Sequence, residues 1–239
     1  MELFLLHGMG GSPADWVRFE KFLPARALSL PRNPSSPEQC AISIADQIEL
    51  AGARKFALGG YSMGGRLALF TAIELFARGI PPSRLILVSA GLGLSSEEEQ
   101  KERRHLDAEW ASLAENDPAA FWQRWYEQPL FASYRAMPSE IRADWENSRN
   151  PMDIGRLSEQ LRNLGPGNHE SLFPLLEGLL EKGLRVLYIV GELDKKYLEL
   201  SRKVGEMGGA KVESIPGAGH ILPLEAPEVL ASKIRAFLI

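Results

Sequence analysis

Cysteine is almost missing from this chain. Cys40 is the one thiol in 239 residues, so no internal disulfide can form, and a reducing compartment is the natural setting. Its surroundings, Pro-Glu-Gln-Cys-Ala-Ile, contain no histidine, which assigns it to structure rather than to nucleophilic chemistry. Long apolar runs are missing as well. The first, Leu3 to Leu6, has no basic leader and is far too short for a signal peptide or a membrane span, so the expectation is a cytoplasmic protein without membrane insertion. An excess of one charge is the third absence: 27 basic residues face 31 acidic ones for a net charge of -4, which leaves no footprint for nucleic acid. A small molecule is the expected partner, and the sequence carries no sign of a particular oligomeric state.

What is present is apolar content of 45%, enough for one substantial core without disulfide, metal or partner. Strand-like apolar runs recur at Leu3-Leu6, Ala27-Leu30, Lys55-Leu58, Leu85-Val88, Val186-Val190 and Val212-Ile215. Between most of them lie helical patterns such as Arg66-Ala77 and Pro227-Phe237, with apolar residues three and four apart. Strands alternating with helices predict the α/β class, a mostly parallel sheet covered on both faces. The rhythm stops between about Gly91 and Lys182, where Trp, Glu and Arg are dense and no strand pattern appears. The expected organisation is a core made of residues 1–90 and 183–239, with residues 91–182 inserted as a helical cap.

Three stretches carry chemistry. Gly59-Gly60-Tyr61-Ser62-Met63-Gly64-Gly65 follows the strand Phe56-Ala57-Leu58 and precedes a helix opening at Arg66. A serine at a sharp strand-to-helix turn needs small neighbours where the backbone is crowded, and its hydroxyl is then held out at the sheet's carboxyl edge. His7-Gly8-Met9-Gly10-Gly11 follows the first strand, where the α/β-hydrolase fold places half of an oxyanion hole, so the backbone amides of Met9 and Met63 are the candidate donors. His7 reads as a packing and hydrogen-bonding residue of that turn. The loop has neither a phosphate-loop Lys-Ser/Thr nor dinucleotide spacing, and no nucleotide, metal or other cofactor is expected. Finally, Val186-Val190 runs into Gly191-Glu192-Leu193-Asp194, and the last strand runs into Gly217-Ala218-Gly219-His220. The chain order Ser62, Asp194, His220 is that of a hydrolase triad, with Asp194 orienting the imidazole and His220 taking the serine proton. Glu192 is the competing acid. His105 and His169 lack such a context.

Arginines narrow the reaction. Arg66 lies within a turn of Ser62 at a helix start, where a cation opposes the helix dipole and gains nothing structurally, so an anionic substrate group is implied. Arg103, Arg149 and Arg162 are further candidates in the insertion, because a guanidinium fork suits a carboxylate. Each of these could equally make a surface salt bridge.

The sequence resembles the 2-succinyl-6-hydroxy-2,4-cyclohexadiene-1-carboxylate synthases of menaquinone biosynthesis. The resemblance rests on Gly60-Tyr61-Ser62-Met63-Gly64-Gly65-Arg66, Glu102-Arg103 with Asp107 and Trp110, and Trp125-Tyr126-Glu127-Gln128-Pro129-Leu130-Phe131-Ala132-Ser133. It continues through Ser148-Arg149-Asn150, Leu161-Arg162-Asn163-Leu164-Gly165, Glu192-Leu193-Asp194-Lys195-Lys196-Tyr197 and Gly217-Ala218-Gly219-His220. It implies a lyase that eliminates pyruvate from a cyclohexene tricarboxylate, with Ser62 as the base and the oxyanion amides on the enolate. It further implies that Arg66, Arg103 and Arg149 hold carboxylates while Trp125 and Tyr61 shape the pocket. Arg162 and Lys196 are added as substrate contacts. Two features depart from the wider fold: the chain starts at the strand before the His-Gly loop, and the loop Leu30 to Ser36 lacks the usual Pro-Gly-His-Gly turn. The alternatives are a carboxylesterase or thioesterase working through an acyl-enzyme, and a non-catalytic binding module on the same scaffold.

Overall fold

The computed structural model describes residues 1–149 and 153–239; Asn150, at the end of the Ser148-Arg149-Asn150 stretch, lies outside the described residues. Among the described residues six parallel strands form one sheet: β1 (Glu2–Leu6), β2 (Arg26–Leu28), β3 (Phe56–Tyr61), β4 (Arg84–Val88), β5 (Arg185–Gly191) and β6 (Ala210–Ile215). Their spatial order is β2-β1-β3-β4-β5-β6.

Along the four inner strands both faces are buried, which is why they read as continuous apolar runs, whereas the edge strands β2 and β6 are partly exposed. Side chains alternate between two cores with the period of two that a strand imposes. Phe4, Leu6, Leu58, Leu85, Leu87, Val186 and Tyr188 join one cluster, which is covered by the helices Pro37–Leu50, Met63–Ala77 and Lys195–Glu206. Leu3, Leu5, Ala57, Ile86, Val88, Leu187 and Ile189 join the other, which meets Trp16, Phe19 and the helix Pro227–Leu238.

Strand ends shift from their expected bounds by a residue or two, as in β2, which stops at Leu28, and β6, which starts at Ala210; the largest change is at the serine. β3 runs on through Gly59, Gly60 and Tyr61, paired to β4 as far as Tyr61 with Val88, and the following helix begins at Met63 rather than Arg66. Two glycines on each side of the serine read as a loop, but the neighbouring strands supply the ladder that holds the first pair extended. The turn is therefore reduced to Ser62 alone.

Between β4 and β5 the described residues form helices and 3-10 turns and no strand. The helix Glu97–Asn116 starts on a capping box, Ser96 with Glu99, and carries three glutamates in its first turn, where the helix dipole favours them. It packs against the helix Ile154–Leu164 around Ala111, Ala114, Phe121, Leu157 and Leu161. The last helix of the stretch, Phe173–Glu181, instead places Leu176 and Leu179 in the core on one face of the sheet. Among the described residues no helix is long and apolar enough to cross a membrane.

Candidate active site

Ser62 stands at the carboxyl end of β3 with φ 55° and ψ −114°, a backbone conformation that an L-residue holds only under constraint. Its neighbours supply that constraint. Its amide donates to Val88 O at 2.8 Å, and Gly65 N donates back to Ser62 O at 3.1 Å. A Cβ on Gly60 would collide with Gly64 O, and one on Gly64 with the carbonyls of Leu6 and His7, so glycine is required for β1, β3 and the helix to approach this closely.

The carboxyl ends of β5 and β6 bring the partners. His220 Nδ1 lies 2.6 Å from Asp194 Oδ2, and His220 Nε2 lies 3.2 Å from Ser62 Oγ. Since an ionised carboxylate only accepts, the proton sits on Nδ1, and a neutral His220 then accepts from the serine hydroxyl through Nε2. Glu192, the competing acid, faces elsewhere and accepts from Gly217 N at 3.1 Å. Both His220 and Asp194 are buried, and the rings of Tyr197, Tyr61 and Phe131 surround the imidazole at centroid distances of 4.8, 5.3 and 6.0 Å. Glu225 braces the histidine loop, accepting from Gly219 N at 2.7 Å and from Ile221 N at 2.8 Å.

Across the serine, Met63 opens its helix, so its amide has no intrahelical acceptor. Met9 N likewise makes no hydrogen bond to a described residue, and both methionines line the cavity. His7 does what a buried turn residue does. Its Nδ1–H donates to Gly8 O at 2.9 Å, and burial lowers its pKa to about 3, which keeps it neutral. Asp15 is buried at the end of the same loop and pairs with Arg149 Nη2 at 2.7 Å; burial pushes its carboxyl up while Arg149 pulls it down.

Above Ser62 opens a cavity of about 430 Å³. Ser62, Arg66, Arg103, Trp125, Arg149 and Lys196 all line it. Arg66 is buried, and burial above all draws its pKa down to about 10, so it remains charged at neutral pH. It donates to Leu164 O at 2.8 Å and makes no ion pair with a described residue. Arg103 donates to the buried Asp107 at 2.9 Å. Lys196 stands at the rim; the protein mass around its head lowers its pKa, and Arg103 and Arg66 add to the effect. Among the described residues no group of His, Cys, Asp and Glu could hold a metal ion.

The structure thus brings together Ser62, Asp194, His220, Met9, Met63, Tyr61, Arg66, Arg103, Trp125, Arg149 and Lys196. Arg162 is a correction. Its guanidinium turns away from the cavity and pairs with Glu115 at 2.7 Å on the exposed side of the insertion, because its helix presents Leu157, Leu161 and Leu164 inward. The loop 30–36 does not line the cavity but is tied to the insertion, with Leu30 O accepting from Arg156 and Pro34 O from Asn163. Asp15, Glu225 and Gln160 matter here and were not marked by any motif, while Tyr197 stood in a quoted stretch without a role. Of these only Asp15 had a usable signal, an acidic residue closing a Gly-rich loop just after Ser12-Pro13.

Known proteins share this fold. Residues 3–233 match the Alpha/beta hydrolase family. A protein of Bacillus subtilis (strain 168), provisionally named 2-succinyl-6-hydroxy-2,4-cyclohexadiene-1-carboxylate synthase, is 31% identical over 98% of this chain and 88% of its own. The synthase of that name from Serratia proteamaculans (strain 568) is 26% identical over 99% of this chain and 92% of its own. The solved structure of MenH from S. aureus superposes with a TM-score of 0.90 at 25% identity, covering 99% of this chain and 93% of that one.

Proposed function

We infer the reaction from the premise that the chain belongs to the alpha/beta hydrolase family and, within it, to the 2-succinyl-6-hydroxy-2,4-cyclohexadiene-1-carboxylate synthases. The protein is a carbon-oxygen lyase. It eliminates pyruvate from 2-succinyl-5-enolpyruvyl-6-hydroxy-3-cyclohexene-1-carboxylate to give 2-succinyl-6-hydroxy-2,4-cyclohexadiene-1-carboxylate. The observation that carries this reading is the set of cations facing Ser62. Arg66, Arg103 and Lys196 converge on one cavity, and the buried Asp107 behind it pairs with Arg103 and acts on Arg66 through its charge. A simple ester has no use for such a wall, whereas the substrate brings a carboxylate on its ring, its succinyl arm and its enolpyruvyl arm.

The chemistry follows from the geometry. The ring C2–H is acidified by the succinyl ketone beside it. Ser62 Oγ, its own proton passing to His220 Nε2 across 3.2 Å, takes that hydrogen. The negative charge gathers on the ketone oxygen, where the Met9 and Met63 amides can donate to it. Collapse of this enolate moves the ring double bonds to the 2,4 positions and breaks the C5–O bond. His220 returns its proton to the departing enolpyruvate, which becomes pyruvate. Asp194, at 2.6 Å from Nδ1, holds the required tautomer and the transient imidazolium. Trp125 and Tyr61 bound the space in which the ring sits, and no cofactor enters.

The test is pyruvate release from the cyclohexene tricarboxylate beside hydrolysis of p-nitrophenyl acetate, for wild type, Ser62→Ala and Arg66→Ala. Pyruvate release lost in both variants supports the lyase. Ester hydrolysis without pyruvate release, abolished in Ser62→Ala and kept in Arg66→Ala, would replace it with an esterase.

A further inference from the structure

One peptide unit of the first glycine loop is gripped at both ends by side chains of the helical insertion. The carbonyl of Met9 accepts from Arg149 Nη1 at 3.1 Å. The N–H of Gly10, the other end of the same unit, donates to Gln160 Oε1 at 3.2 Å. A peptide unit is planar, so fixing its oxygen and its hydrogen fixes its plane. The plane sets ψ of Met9, and with it the direction in which the Met9 N–H can point.

The two gripping residues come from different helices, Ser139–Arg149 and Ile154–Leu164. The clasp runs on through Asp15, which takes Arg149 Nη2 at 2.7 Å and accepts from Ser12 N at 3.4 Å, so both ends of the loop answer to one guanidinium. The Arg149 guanidinium carbon itself lies over the Trp145 ring, 4.1 Å from its centroid. Gln160 is fully buried, lies outside the cavity wall, and leaves its Nε2 without a partner among the described residues. A leucine at that place would avoid the orphaned amide, and the bond to Gly10 is what the glutamine adds. The helix that carries it is also tied to the core by Arg156 to Leu30 O at 3.1 Å, Asn163 to Pro34 O at 2.8 Å and Arg66 to Leu164 O at 2.8 Å.

We propose that Gln160 and Arg149 are positioning residues that turn the Met9 amide toward the developing oxyanion, so that the oxyanion site is complete only when the insertion is seated on the core. This rests on the reaction proposed above in taking Met9 as an oxyanion donor. Arg149 thereby acts through the loop, its terminal nitrogens committed to Asp15 and Met9, while Arg66, Arg103 and Lys196 face the substrate.

Gln160→Met keeps the side chain's length and removes the acceptor. With full-length enzyme, kcat for pyruvate release is expected to fall about tenfold, a fraction of the loss on deleting an oxyanion donor outright, with KM within about twofold. In ¹H–¹⁵N spectra the Met9 and Gly10 amide signals are expected to move. An unchanged kcat with an unmoved Met9 signal overturns the inference, as does a raised KM with kcat intact, which would place Gln160 in substrate binding. Wild type separates this from the reaction itself. If it hydrolyses p-nitrophenyl acetate and releases no pyruvate, the lyase reading falls, and the same kcat comparison is made on the ester. If it turns over neither, the Met9 and Gly10 signals decide alone.

Discussion

The two sides of the cavity carry their buried arginines in opposite states. On the side of the first glycine loop, Arg149 is matched one to one: Asp15 takes its charge at 2.7 Å, and neither group has contact with bulk water to spare. On the side of the nucleophile's helix, Arg103 pairs with the buried Asp107 at 2.8 Å, whereas Arg66 and Lys196 make no ion pair with a described residue; Glu199 and Lys203 also line the cavity. A neutralised pair is part of the architecture. An unbalanced group is a site waiting for counter-charge, because desolvated cations are costly until an anion arrives. The same residue type at similar burial therefore does different work on the two sides, and what separates the two is whether a carboxylate was built in.

The sharpest way to break this contrast is to remove one arginine from each side. Arg149→Met should cost about 3–5 kcal/mol of stability in chemical denaturation, since it strands Asp15 as a buried unpaired charge. Arg66→Met should cost under about 1 kcal/mol, as losing one hydrogen bond is offset by losing an unbalanced charge. Equal losses would erase the distinction. In kinetics Arg66→Met should nonetheless lower kcat/KM for the tricarboxylate by about a hundredfold, measured by pyruvate release, on the scale of one strong charge-assisted hydrogen bond.

Lys196 sharpens the comparison through pH. Its pKa is lowered in the folded protein, so the unfolded chain binds this proton more tightly. The penalty of burying the charge is present below the lowered pKa and is relieved as pH rises through it toward the unfolded value. Stability of the substrate-free protein should therefore gain on the alkaline side while KM for the tricarboxylate rises, two trends in opposite senses. Lys196→Met should flatten both; a KM that stays level above neutral pH in wild type would remove Lys196 from the binding wall. The smallest effect is expected at Arg162→Ala. Its exposed pair with Glu115 should matter by less than about 1 kcal/mol, with kcat/KM within about twofold.

Much of this was legible in the sequence because the informative residues sit where strands end. Ser62, Asp194 and His220 each follow an apolar run of strand type, and glycines mark the crowding around them, so their meeting at one sheet edge follows from topology. The unbalanced cations were legible in part. Arg66 betrayed itself by sitting in a helix's first turn, whereas Arg103 and Arg162 look alike along the chain and are separated only by which way their helices face. The clasp of Arg149, Asp15 and Gln160 was not legible as such. It joins residues 134 and 150 positions apart, and nothing local distinguishes a buried glutamine that bonds a distant amide from an exposed one. The start of the helix after Ser62 was misplaced for a related reason: glycine's weak propensity suggested a loop where neighbouring strands impose order.

The strained backbone at Ser62 has an evolutionary consequence. With φ at 55° and ψ at −114°, a glycine there would be more comfortable than the serine, by about 1–3 kcal/mol. A population selected only for surviving heat would be drawn toward Ser62→Gly, and toward filling Gln160 with an aliphatic side chain, and would climb in melting temperature as it lost the reaction. The persistence of a serine at that torsion is thus a fossil of selection for turnover, readable from one pair of angles.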